Sequence, residues 1–89
     1  MMIKWNDGAW AEYVAWQQED KKTLKRINKL IKSIQREGLF KGLGKPEPLE
    51  GNLSGAWSRR INHVDRLVYI PEAHGEFTII QCKAHYGDH

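Results

Sequence analysis

Two hydrophobic periods divide the chain. Between residues 7 and 18, Trp10, Tyr13, Val14 and Gln17 recur at the i, i+3, i+4, i+7 spacing of one helical face, and Asn6 or Asp7 suits the N-cap. A second helix is predicted from about Asp20 to Glu37, with Leu24, Ile27, Ile31 and Ile34 as its apolar stripe and Gly38 as its stop. Ahead of both, the run Met2-Ile3-Lys4-Trp5 reads as a short strand. From Phe40 to Gly51 glycines and prolines come at close intervals, which predicts a loop. The period then shortens. Segments 53–61, 64–70 and 77–86 are rich in aromatic and β-branched residues, and turn formers at Asn62-His63 and at Pro71 to Gly75 separate them. Three such strands with tight connections make an antiparallel meander. The order β-α-α-β-β-β therefore predicts an α+β domain over residues 1–89, two helices packing on one face of a small antiparallel sheet. The other face of that sheet is the natural place for a site.

Charge sharpens the picture of the second helix. Residues 21–36 carry seven basic groups and no acid, although the whole chain is only +3. Lys22, Lys25, Lys29, Lys32 and Arg36 are spaced to share one helical face beside the apolar stripe, and Lys21 and Arg26 widen it. The ridge is roughly 24 Å long at 1.5 Å rise per residue. A solvated helix face is the plain alternative, but like charges at these spacings repel, and no glutamate relieves them. A polyphosphate backbone suits such a ridge, which would grip it without reading sequence.

Composition otherwise excludes more than it suggests. The single cysteine, Cys82, allows no internal disulfide, and the four histidines with it lack metal-ligand spacing, so no metal and no cofactor is expected. No segment approaches the roughly 20 apolar residues of a membrane span and no leader pattern opens the chain, so a cytoplasmic protein without membrane contact is expected.

The loop and strands hold the candidate chemistry. Pro46 and Pro48 frame Glu47, and each proline biases the residue before it, Lys45 and Glu47, toward extended backbone. A carboxylate on so stiff a frame is either a solvated linker group or a positioned base. By strand alternation Ser54, Ala56, Ser58 and Arg60 share one face, while Leu53, Trp57, Arg59 and Ile61 share the other. Arg66 stands among Val68 and Ile70 on an apolar row, where an edge ion pair with Asp65 or Glu76 is the alternative to a functional role. His85 follows near the C-terminus. Glu, Arg and His form a set able to cleave RNA without metal: a carboxylate takes the 2′-hydroxyl proton, an imidazolium gives one to the departing 5′-oxygen, and a guanidinium holds the charged phosphorane. A simple hairpin turning near Ala73-His74 puts Arg66 opposite about Gln81, which leaves His85 four residues beyond.

The motifs Gly44-Lys45-Pro46-Glu47-Pro48-Leu49, Asn52-Leu53-Ser54-Gly55, Trp57-Ser58-Arg59-Arg60-Ile61, Arg66-Leu67-Val68-Tyr69 and His85-Tyr86 resemble those of the YoeB toxins of the RelE/ParE superfamily. The likeness extends through the helices and so spans nearly the whole chain. It implies the RelE/ParE-like, microbial-ribonuclease-like version of the fold. It also implies the toxin of a type II toxin–antitoxin pair, a ribosome-dependent endoribonuclease that cuts mRNA in the A site. By resemblance Glu47, Arg66 and His85 are catalytic, Arg60 and Tyr86 hold RNA, and the basic helix faces 16S rRNA of the 70S ribosome. The implied partners are an acidic YefM-like antitoxin, the ribosome, mRNA and a possible second copy of the chain. Glu50, where relatives often carry a basic residue, Ala56 in place of an aromatic, and the extension Gly87-Asp88-His89 depart from the family pattern. A non-enzymatic inhibitor of DNA gyrase, like the ParE toxins, is the alternative on the same fold, and a plain nucleic-acid-binding module is a third; neither needs the Glu/Arg/His set.

Overall fold

The two periods become two layers. The computed structural model describes residues 2–84. β1 (Ile3–Trp5), α1 (Asp7–Glu19) and α2 (Lys21–Glu37) come first, followed by β2 (Glu47–Pro48), β3 (Trp57–Arg60), β4 (Arg66–Pro71) and β5 (Phe77–Gln81). The sheet runs β1-β5-β4-β3-β2. The α+β class is as expected, but the sheet is mixed and not wholly antiparallel. β1 pairs parallel with β5, Ile3 opposite Phe77 and Trp5 opposite Ile79. β3, β4 and β5 reverse at each tight turn, whereas β1 is joined to the rest by a helical crossover long enough to deliver a parallel strand. Glu47 and Pro48 add a two-residue strand inside the predicted loop, pairing antiparallel with β3.

Asn6 caps α1, its side chain accepting the Ala9 N–H. The buried face of this helix is not the predicted one. Ala9 and Trp16 are buried, while Trp10, Val14 and Gln17 lie exposed. Apolar residues occur all around α1, so periodicity alone did not choose a side. The Trp16 indole N–H decides it by donating to the Cys82 carbonyl at 2.9 Å, inside the core. Trp10 instead packs at the rim with Trp5 and Tyr13. α2 follows its stripe: Ile27, Leu30, Ile31 and Ile34 are buried and Leu24 is half-buried. Asp20 joins the helices, its N–H closing α1 on Trp16 and its carboxylate accepting the Lys22 and Thr23 N–H groups to open α2.

The helices cover the sheet face that carries Ile61, Leu67, Tyr69, Phe77 and Ile79. Across the sheet, a smaller cluster of Leu49, Ala56 and Val68, with Leu53 and Ile80 against it, caps part of the opposite face. Residues 53–56 are not strand as expected. Gly51–Leu53 form a 3-10 turn and β3 begins only at Trp57, so Leu53 joins Ala56 on the side away from Trp57.

Candidate active site

The open face of the sheet carries the candidate residues in two rows. Glu47 stands opposite Ser58, and Ser58 opposite Val68. Two pairs farther along, beyond Arg59 and Leu67, Arg60 stands opposite Arg66. Residues directly opposite in an antiparallel pair share a face, as do i and i+2 in one strand. Glu47, Ser58, Arg60 and Arg66 therefore face the same way, away from both helices. At about 4.8 Å between strands and 3.4 Å per residue, the Glu47 and Arg66 Cα atoms are on the order of 12 Å apart, a span that long side chains narrow from both sides. Glu47 and Arg60 are exposed and Arg66 half-buried. Arg66 forms neither of the ion pairs considered as alternatives, since its Nη1 donates to the backbone carbonyls of Asn62 at 2.7 Å and Asp65 at 3.1 Å.

The C-terminal segment arrives beside Arg66, and not four residues beyond it as the simple hairpin predicted. A register shift between Val68 and Tyr69 sets Val68 opposite Gln81. The chain then draws in until the Arg66 N–H donates to the Ala84 carbonyl at 3.1 Å. Gln81 Nε2 donates to the same carbonyl at 2.9 Å, and the Ala84 N–H donates to Asp65 Oδ1 at 2.7 Å. These three bonds hold Ala84 at a φ of 66°, which an alanine does not adopt without support. Asp65 is buried, and its other oxygen accepts from Asn62 Nδ2 at 2.9 Å, so one carboxylate ties the β3–β4 turn to the end of the chain. The sequence offers Asp65 only as a possible ion-pair partner of Arg66; an acid next to an arginine at a strand start gives no signal of this clamp. His85 and Tyr86 lie outside the described residues.

A buried arginine frames the approach to Glu47. Arg59 is 0% exposed, and its guanidinium donates to Tyr69 Oη, Ser33 Oγ and the carbonyls of Gly38, Lys41 and Leu43 at 2.8–3.2 Å. Gly38 terminates α2, so the cation also lies at the negative end of that helix. The loop leaving the helix is wrapped on this one group. Its last residues cross β3 at Gly44, whose carbonyl accepts the Arg60 N–H at 2.7 Å. A Cβ at Gly44 would meet Leu30 Cδ2 at 2.7 Å, and the φ of +89° favours glycine as well. Lys45 departs from expectation: its φ is +53°, not extended. The chain must turn between the Gly44 contact with Arg60 and the Glu47 pairing with Ser58, and that pair of anchors overrides the pre-proline preference.

The basic ridge is as spaced. Lys22, Lys25, Lys29, Lys32 and Arg36 are all exposed. They lie on the helix, while Glu47 and Arg66 lie across the sheet, so ridge and site are separate surfaces. Arg26 leaves the ridge: it is half-buried and its Nη2 donates to the Arg60 carbonyl at 3.1 Å. Cys82 takes no part in the site. Burial, reinforced by the Glu12 and Asp65 carboxylates, pushes its thiol up to about 12, which leaves it protonated and inert.

Helices on one face of a small mixed sheet, with Glu47, Arg60 and Arg66 on the other, agree with the RelE/ParE-like fold that the sequence resemblance implies. The sequence model of the "YoeB-like toxin of bacterial type II toxin-antitoxin system" matches residues 5–86. Toxin YoeB of Synechocystis sp. is 55% identical over 86 residues, which cover 97% of this chain and 98% of that one. A YoeB/ParE toxin from Agrobacterium tumefaciens superposes with a TM-score of 0.91 at 42% identity, covering 97% and 100% of the two chains. Staphylococcus aureus supplies a heterotetrameric YoeB–YefM toxin–antitoxin complex and a YoeB dimer, each with a TM-score of 0.88 and 48% identity over 97% of this chain and 98% of that one. The chain belongs to the YoeB toxin family.

Proposed function

We propose that this toxin is a ribosome-dependent endoribonuclease that cuts mRNA in the A site and so stops translation in the cytoplasm. The observation that carries the reading is the open sheet face, where a framed carboxylate, Glu47, shares a surface with Arg60 and Arg66 beside the clamped Ala84. Glu47 takes the proton of a ribose 2′-hydroxyl, and the 2′-oxygen attacks the adjacent phosphorus. Arg66 neutralises the charge that gathers on the non-bridging oxygens. The bond from phosphorus to the 5′-oxygen breaks, and His85, next in the chain after Ala84, supplies that oxygen's proton. The products are a 2′,3′-cyclic phosphate and a 5′-hydroxyl. Arg60 and Tyr86 hold the strand, and the ridge from Lys22 to Arg36 grips 16S rRNA phosphates.

In the same reading an acidic YefM-like antitoxin neutralises the toxin, and a second copy associates with it. The S. aureus complex and dimer support both partners, and the excess of positive charge on the open face and ridge supports the first. The test is cleavage of mRNA on translating ribosomes. Glu47→Ala is expected to abolish cleavage and to leave the melting temperature within a few degrees of wild type. Full cleavage by a folded Glu47→Ala protein, or loss of DNA supercoiling in place of arrested translation, would remove the nuclease reading.

A further inference from the structure

The turn between β3 and β4 forms a concave surface that adjoins Arg60 and Arg66 and adds two groups the proposed chemistry does not use, Arg26 and His63. Arg26, Arg60, Ile61, Asn62, His63 and Arg66 line a cleft of about 290 Å³. A neighbouring cleft of about 360 Å³ shares Arg26, Ile61 and Asn62 with it and continues to Lys22 at the start of α2. The two are continuous, so a basic trough runs from the open face around the β3–β4 turn to the head of the ridge.

The walls of the first cleft carry three guanidinium groups and an imidazole. Asp65 is the nearest acid in sequence, and its carboxylate is committed to Ala84 and Asn62. Among the described residues the ion pairs are Lys4–Glu72 and Lys83–Glu19, neither at this place. The Arg26 and Arg66 guanidinium groups donate, among the described residues, to carbonyl oxygens alone: Nη2 of Arg26 to Arg60, and Nη1 of Arg66 to Asn62 and Asp65. A guanidinium has five N–H donors, so each of these side chains keeps donors for an anion. The contact of Arg26 with the Arg60 carbonyl also fixes the helix-borne cation over the strand end.

We propose that this cleft is a phosphodiester-binding subsite of the toxin, with Arg26 and His63 holding a nucleic-acid phosphate next to the one engaged at Arg66. The subsite rests on the nuclease reading for its role in catalysis, but its anion chemistry stands independently. It takes the backbone of single-stranded substrate RNA or a phosphate of structured ribosomal RNA, the same ligand chemistry from two sources. Because the contacts are to phosphate, they give affinity and register without base preference.

The test is equilibrium binding of a single-stranded oligoribonucleotide, made uncleavable by 2′-O-methylation at each ribose, and of purified 70S ribosomes, each across a salt series. Wild type, Arg26→Gln and His63→Ala are compared, with thermal melting to confirm folding. His63 lies on an exposed turn, so His63→Ala keeps the fold even if Arg26→Gln disturbs Arg60. Each substitution is expected to weaken binding about tenfold at low salt, and Arg26→Gln to reduce the slope of log affinity against log salt by about 0.7 on the oligonucleotide. A loss on the oligonucleotide assigns the cleft to the substrate strand; a loss on ribosomes alone assigns it to ribosomal RNA. Unchanged binding of both by both folded variants, or weakened binding only of an acidic antitoxin peptide, would overturn the subsite. Because nothing is cleaved in this assay, its result is independent of whether Glu47→Ala retains activity.

Discussion

Replacing Arg59 with Met tests whether one buried cation holds the end of α2 and the loop that leads to Glu47. The substitution keeps an unbranched apolar stem but removes every donor. Ser33 Oγ still accepts the Leu43 N–H and donates to Glu37, and Tyr69 Oη still donates to the Leu39 carbonyl. The carbonyls of Gly38, Lys41 and Leu43 lose their guanidinium partner. A partly buried acceptor left without a partner costs about 1–3 kcal/mol, and the lower half of that range applies where water can reach the loop. At about 1–2 kcal/mol each, three such groups amount to about 3–6 kcal/mol, close to the roughly 3–5 kcal/mol lost when one partner of a buried charge pair is removed. For a domain of this size, at about 4–8 °C per kcal/mol, even the lower end of that range corresponds to a fall in Tm of about 12–24 °C. Urea denaturation read by tryptophan fluorescence measures it, since Trp57 packs on Phe40 of the same loop. Arg59→Lys restores the charge but not the fork, and is expected to recover less than half of the loss. A loss below about 1 kcal/mol for Arg59→Met would refute the reasoning, because it would mean that the loop is held by other contacts.

Asp65→Asn keeps the shape of the clamp and removes its charge. The expected result is a fall in cleavage of at least tenfold with mRNA binding little changed, read by separating kcat from KM; equal effects on both, or none, would count against a positioning role. Acid destabilises the helical layer through Asp20, whose carboxyl is held below its ordinary 3.8 chiefly by the Thr23 hydroxyl and N–H. A depressed folded value means stabilisation that is complete above that ordinary value and is lost as pH falls through the folded one. Asp20→Ala should therefore flatten the dependence of Tm on pH below about pH 4, and an unchanged profile would remove Asp20 as its source.

The layer arrangement was legible because α2 and the meander each have one period. The stripe of Ile27, Ile31 and Ile34 names its own buried face, and the turn formers mark the hairpins. α1 was not legible in the same way, since its apolar residues surround the helix and a single indole N–H picks the side. The parallel pairing of β1 depends on contacts across most of the chain length, which local pattern does not contain. In the candidate site, the prolines on either side single out Glu47. Asp65 and Arg59 carry no such mark. Their roles lie in backbone groups they bond to, the Ala84 N–H and three loop carbonyls, and no side-chain motif encodes those partners. The draw-in after Gln81 was invisible for a related reason: a register shift of this kind shows only in the ladder.

The two outermost strands of the sheet have a consequence for a toxin freed from its inhibitor. β1 offers three residues and β2 two, one of them Pro48, which has no N–H to give. Short edges of this kind, one with a proline, disfavour the addition of a further strand. Among the described residues, the sheet of a released toxin therefore gives an unfolding neighbour little edge on which to add a strand.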